Sequence, residues 1–197
     1  MSGWHRGTLR GTPSGDGRGP MVVKIGGSLL ARPGWPAEVM VLLAAISPPW
    51  LVVAGGGRLV DALRAFDAAA PQPPELMHDL AIRCMGVTAR LAAAALGLPL
   101  VVEADTAAPA AVLDAAAWLG HAGRLAALPV GWHVTSDSIA AAVAADGGGR
   151  LFLVKSVPPP CSGPDLAALA AAGWVDDFFP MAAAPLAEVH WAAPNDA

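Results

Sequence analysis

The chain has 197 residues, a formal charge of −4 and a pI near 5.6, and its hydrophobic fraction of 55% gives a mean hydropathy of +0.51. Much of that hydropathy is alanine, and the longest clean apolar run, from Leu91 to Val102, falls short of the roughly 20 residues that a membrane helix needs. The acidic balance and the lack of a basic patch disfavour nucleic acid as a partner. The two distant cysteines, Cys84 and Cys161, fit reduced thiols in a cytoplasmic protein and offer no metal-ligand spacing.

Residues 1–20 are rich in Gly, Ser, Thr and Arg without an apolar centre, so they read as a flexible leader ahead of one domain over 21–197. Residues 21–25 form a β-branched run interrupted only by Lys24, a buried strand ended by Gly26-Gly27. Helical spacing over 35–46 stops at Ser47-Pro48-Pro49. A second buried strand over 50–54 ends at Gly55-Gly56-Gly57, followed by a helix over 58–70 and a proline loop over 71–74. The longest helix is predicted over 76–96, with Gly97 as its C-cap.

Further on, the pattern predicts a strand over 99–103, a helix over 109–119 and a short strand over 133–135. A helix over 139–145 follows, with Ser136 or Asp137 as N-cap. Residues 151–155 read as a buried strand, 158–160 as an extended loop, 165–172 as a helix and 187–191 as a last strand. Strands alternating with helices predict an α/β fold, a three-layer α/β/α sandwich around a mainly parallel sheet, with ligands at the carboxyl ends of the strands.

Two strands end in glycine clusters that each precede a helix. Backbone N–H groups can approach a phosphate closely there, glycine permits the required φ angles, and the next helix adds its positive end. Either cluster alone is also compatible with a tight turn. Two at equivalent strand ends, one flanked by Lys24, favour a phosphate site. Neither has the spacing of a P-loop or a dinucleotide fingerprint.

The segment Val23-Lys-Ile-Gly-Gly-Ser-Leu29 resembles the opening motif of the amino acid kinase family, which includes acetylglutamate kinase, uridylate kinase, aspartokinase and isopentenyl phosphate kinase. Val52-Val-Ala-Gly-Gly-Gly57 is similar to its second glycine loop, Val134-Thr-Ser-Asp-Ser-Ile-Ala140 to the segment bearing its organising aspartate, and Leu153-Val-Lys-Ser156 to the following strand. The motifs run in family order. Met77-His-Asp-Leu-Ala-Ile-Arg-Cys-Met85, taken with Thr-Ser-Asp-Ser, resembles the small archaeal and methylotroph branch. That branch includes a kinase of methanofuran biosynthesis that phosphorylates an aminomethyl-furanmethyl phosphate.

The resemblance implies an ATP- and Mg²⁺-dependent kinase acting on a small phosphorylated or carboxylated metabolite, with no protein-held metal site and a tendency to homo-oligomerise. It implies that Lys24 holds the transferring phosphoryl group. Gly26, Gly27, Ser28, Gly55, Gly56 and Gly57 would bind phosphate oxygens. Asp137 would orient the lysines or contact Mg²⁺ indirectly, a role compatible with capping its helix. Lys155, a charge ending an apolar strand, needs a partner such as Asp137 or a phosphate unless the strand end is exposed. His78, Asp79 and Ser136 would contact the acceptor, although Asp79 also suits a helix start for dipole reasons. His121, His133 and His190 read as structural, and Trp174, Phe178 and Phe179 as core. Ser156-Val-Pro-Pro-Pro160 replaces the Asp-Gly segment common in larger relatives, and this keeps open a second reading, a non-catalytic phosphate- or nucleotide-binding subunit.

Overall fold

The computed structural model describes residues 3–11, 19–104, 108–121, 123–160 and 165–195. In chain order the strands are β1 Trp4–Arg10, β2 Met21–Ile25, β3 Trp50–Ala54, β4 Leu100–Val101, β5 Ala110–Leu113, β6 Arg150–Val154 and β7 Glu188–Pro194. The helices are α1 Trp35–Leu43, α2 Gly57–Ala69, α3 Pro74–Leu96, α4 Ala115–Gly120, α5 Ser136–Asp146, α6 Leu166–Ala171 and α7 Phe179–Ala182. The sheet order is β1-β7-β6-β2-β3-β5-β4, parallel throughout except for the β1–β7 pair.

Strands β2 and β3 are buried along their whole length, as their near-continuous apolar sequences require of strands covered on both faces. Alternate residues serve opposite cores. Met21, Val23, Ile25, Val52 and Val154 pack with α1 and with Ala89, Ala92 and Leu96 of α3. Val22, Val53, Leu151 and Leu153 pack with α5, α4 and the α6–α7 region. The expected three-layer α/β/α sandwich is thus present. From central β2 the chain moves out to β3 on one side and returns at β6 on the other, and this switch point opens a crevice at the strands' carboxyl ends. Among the described residues no helix is long and apolar enough to cross a membrane.

Four expectations need correction. Residues 4–10 are not a flexible leader: they form β1, which pairs antiparallel with β7. Leu9 is only 2% exposed, and Arg10 Nη1 donates to the carbonyls of Ala183 and Ala184, both at 2.8 Å. An edge strand takes its order from the backbone of its neighbour and needs few apolar residues of its own. Residues 12–18 lie outside the described residues.

The helix expected over 109–119 divides into strand β5 and helix α4. Alanine's helix propensity gives way because Ala111, Val112 and Leu113 fill a slot between β3 and β4 on a doubly covered sheet. The strand expected over 99–103 shrinks to the two-residue edge β4. Residues 133–135 form a turn and a helix cap, not a strand.

If β1 is integral to the sheet, Leu9→Ala should lower unfolding free energy by about 2–4 kcal/mol, the usual cost of emptying a buried leucine site. Urea unfolding followed by circular dichroism measures this, and a change below about 0.5 kcal/mol, normal for an exposed residue, would contradict it.

Candidate active site

Strand parity decides which side chains meet here. Successive residues of a strand point to opposite faces, so Lys24 shares the face of Val22, and Lys155 continues the series of Leu151 and Leu153 one residue past β6. Both series face α5. Lys24 lies opposite Leu153 in the register of the neighbouring parallel strands, so the two ammonium groups arrive side by side at the start of that helix.

Asp137, in the first turn of α5, receives both. Lys24 Nζ stands 2.7 Å from Oδ1 and Lys155 Nζ 2.8 Å from Oδ2. Lys24 and Asp137 are each only 4% exposed. Burial by itself would raise the Asp137 carboxyl, but the attraction of Lys24 and Lys155 and their hydrogen bonds outweigh it and hold it below its ordinary value of 3.8. Burial and then repulsion from Lys24 push the Lys155 ammonium below its ordinary value of 10.5, against the pull of Asp137 and Asp176. With both amines protonated Lys24, Lys155 and Asp137 together carry one positive charge, with the Asp176 carboxylate beside them.

The cap of α5 is neither Ser136 nor Asp137 but Thr135, whose hydroxyl accepts from the Asp137 N–H at 3.4 Å. Asp137 is thereby free to turn to the lysines. Asp176, distant in sequence, completes the cap: it accepts from Thr135 N at 2.9 Å, Thr135 Oγ1 at 2.7 Å and Ser138 N at 3.1 Å, and also from Ser138 Oγ. Trp174 covers the cluster, its ring centroid 5.1 Å from Lys155 Nζ, and its indole N–H donates to the Val157 carbonyl at 3.0 Å.

The glycine loops interlock. A Cβ on Gly27 would lie 2.5 Å from Gly57 Cα, and one on Gly55 would lie 2.9 Å from both Gly27 N and Ser136 Oγ. Gly57 opens α2 with φ of +55°, a conformation side chains resist. Not every glycine N–H is available to a ligand. Gly26 N donates to Val154 O at 2.7 Å and Gly55 N to Ile25 O at 2.9 Å, continuing the sheet ladders. The expectation that these two N–H groups face phosphate is therefore corrected. Among the described residues, the N–H groups of Gly27, Gly56 and Gly57 have no protein acceptor.

Two cavities meet at the first loop, and Gly27 and Ser28 line both. The smaller, about 240 Å³, holds Lys24, Lys155, Ser156 and Trp174. The larger, about 430 Å³, lies between the loops, α2, α3 and α5, with Ile82, Met85 and Ile139 as apolar wall and Asp61, Arg64, His78 and Ser136 as polar groups. A third, about 270 Å³, runs behind Asp137 and Lys155 towards Trp132 and Asp176. No cluster of His, Cys, Asp and Glu among the described residues could hold a metal.

His78 and Ser136 line the larger cavity, beside the cluster of Lys24, Asp137 and Lys155 and the loop glycines Gly27, Gly56 and Gly57. Asp79 does not. On a helix His78 shares its stripe with Ala81, Ile82 and Met85, while Asp79 is turned about 100° away and pairs with Arg83 at 2.7 Å on an exposed face. His78 Nδ1 accepts from Gly131 N at 3.4 Å, and its buried Nε2 has no partner among the described residues. Trp174 and Phe179 are buried as expected, yet Trp174 also walls the site. Arg64, Asp176 and this second role of Trp174 escaped the sequence reading. One signal was present: Lys24 and Lys155 are the chain's only lysines.

No protein-family model matches this sequence, and no curated protein matches it. In structure the chain is similar to the crystal structure of uridylate kinase from Archaeoglobus fulgidus, with a TM-score of 0.59 and 15% identity over 88% of this chain and 90% of that one. The likeness shows that this chain has the amino acid kinase-like fold.

Asp137→Asn should lower stability at pH 7 by roughly 3–5 kcal/mol, because the buried Lys24 ammonium loses its counter-charge and the partly buried Lys155 loses its nearest one. A carboxyl depressed in the folded state contributes stability above its unfolded value, and loses it as pH falls through the folded one. The gap between wild type and variant should therefore narrow as pH drops below 3.8. Urea unfolding at pH 7 and pH 3 tests this; a gap independent of pH would contradict the paired carboxylate.

Proposed function

We propose that this chain is an ATP-dependent small-molecule kinase, and that the phosphate chain of the donor lies in the smaller cavity with the acceptor in the larger. One observation carries this reading: a buried cluster of two lysines and one aspartate, with an excess positive charge, sits where two cavities meet at a shared glycine loop. Phosphoryl transfer needs in-line positioning and stabilisation of negative charge more than covalent participation by the protein. Lys24 and Lys155 supply the charge, and the N–H groups of Gly27, Gly56 and Gly57 can bind oxygens on either side of the transferring group. The amino acid kinase-like fold supports the same assignment, and the likeness spans 90% of a uridylate kinase chain.

The residues present suit Mg·ATP in a particular way. Both Asp137 oxygens face lysines, so a divalent ion would be held mainly by phosphate oxygens and not by this carboxylate. Such an ion supplies charge neutralisation on the phosphates when bound. For the acceptor we favour an aminomethyl-furanmethyl phosphate, the substrate suggested by the residues 77–85 and Thr-Ser-Asp-Ser resemblance. In this reading a small flat ring would lie against Ile82 and Met85 in the larger cavity, its ammonium group towards Asp61 and its phosphate towards Arg64, all of which line that cavity.

The test is ADP release with Mg·ATP and that phosphate as acceptor. Lys24→Ala should retain the fold, since Asp137 keeps Lys155, and should lower kcat by about 10²–10³. Unchanged turnover in Lys24→Ala would reject the assigned role. Binding of ATP without turnover on any candidate acceptor would favour the non-catalytic reading instead.

A further inference from the structure

Between α6 and α7 the chain turns at Gly173, φ +70°, and sends Trp174 and Asp176 back to the cluster from the same short segment. Trp174 lies over Lys155, and Asp176 grips the residues on both sides of Asp137. A helix cap needs one acceptor for one or two N–H groups, and Thr135 already provides one. Asp176 does more than this. Its carboxylate takes both the N–H and the hydroxyl of Thr135 and of Ser138, which fixes the backbone before and after Asp137.

We propose that Asp176 is a positioning residue for phosphoryl transfer, holding Asp137 in the one place where its two oxygens can each face a lysine. The proposal rests on the kinase reading above. Asp137 divides two ammonium groups between its oxygens at 2.7 and 2.8 Å, so a small rotation of the first turn of α5 would favour one lysine over the other. Displacements of about 1 Å at a transferring group cost on the order of 10²-fold in rate. Asp176 also shares a cavity with Lys155, together with Arg64 of α2, His133, Asp137 and Asp177. With Lys24 on the neighbouring strand, these are the charged and titratable groups facing that amine.

Asp176→Asn tests the inference, because the amide keeps the shape but presents an NH₂ in place of one accepting oxygen, of which Oδ2 takes three donors and Oδ1 one. We expect kcat to fall by roughly 10–100-fold with KM for Mg·ATP changed less than about threefold. A second readout does not depend on turnover. The only two lysines give two ammonium resonances in ¹⁵N-lysine NMR, and in Asp176→Asn the Lys155 resonance should move and titrate at lower pH.

A simple cap would lower the unfolding midpoint and leave kcat and both resonances in place, and that result overturns the proposal. If Asp176→Asn does not fold, Ser138→Ala, which removes one donor to Asp176, should give a smaller change in the same direction; unmoved resonances there also overturn it. If wild type shows no turnover while the resonance moves, the kinase reading fails and the positioning of the lysine–aspartate cluster by Asp176 stands.

Discussion

Asp137, buried between Lys24 and Lys155, is the contact on which the site depends. Two ammonium groups in an interior of low dielectric are costly unless paired, and one carboxylate that accepts from both reduces that cost without cancelling the charge. The residual positive charge sits at the carboxyl ends of two central parallel strands, where the chain's switch in direction opens a crevice. Everything nearby serves to hold this arrangement. Parity aims both lysines at α5, Thr135 and Asp176 fix the first turn of α5, and the Trp174 ring shields Lys155.

The choice of lysine is informative. The other ten basic residues are arginines, yet both cations that pair with Asp137 are lysines. A guanidinium is wide, planar and fixed in its donor directions, whereas an ammonium group is compact and can share its three donors between a carboxylate and a phosphate. The glycine loops follow a similar logic of space. Gly27 and Gly57 are needed first because the loops touch one another, and the free N–H groups are those left over once Gly26 and Gly55 have joined the sheet. The set of N–H groups open to a ligand is therefore smaller than the glycine-rich sequence suggests.

Most of this frame was legible in the sequence for one reason: strands buried on both faces leave unbroken apolar runs, and a lysine within or just beyond such a run stands out. What escaped was set by distant contacts. Strand β1 takes its order from β7, and β5 is alanine-rich and gains its strand character only between two neighbours. Asp176 acts on residues about forty positions earlier, so no local spacing could reveal it. His78 and Asp79 were indistinguishable without the helix phase that sends one into the cavity and the other to Arg83.

The central claim is that this cluster exists to hold a phosphate chain. Isothermal titration of the protein with Mg·ATP tests it most directly. The account predicts saturable binding below millimolar concentration, weakened at least tenfold when Lys155 is replaced by methionine, a change of about 1.4 kcal/mol. An absence of binding at millimolar Mg·ATP, or equal affinity in the Lys155→Met protein, would contradict it.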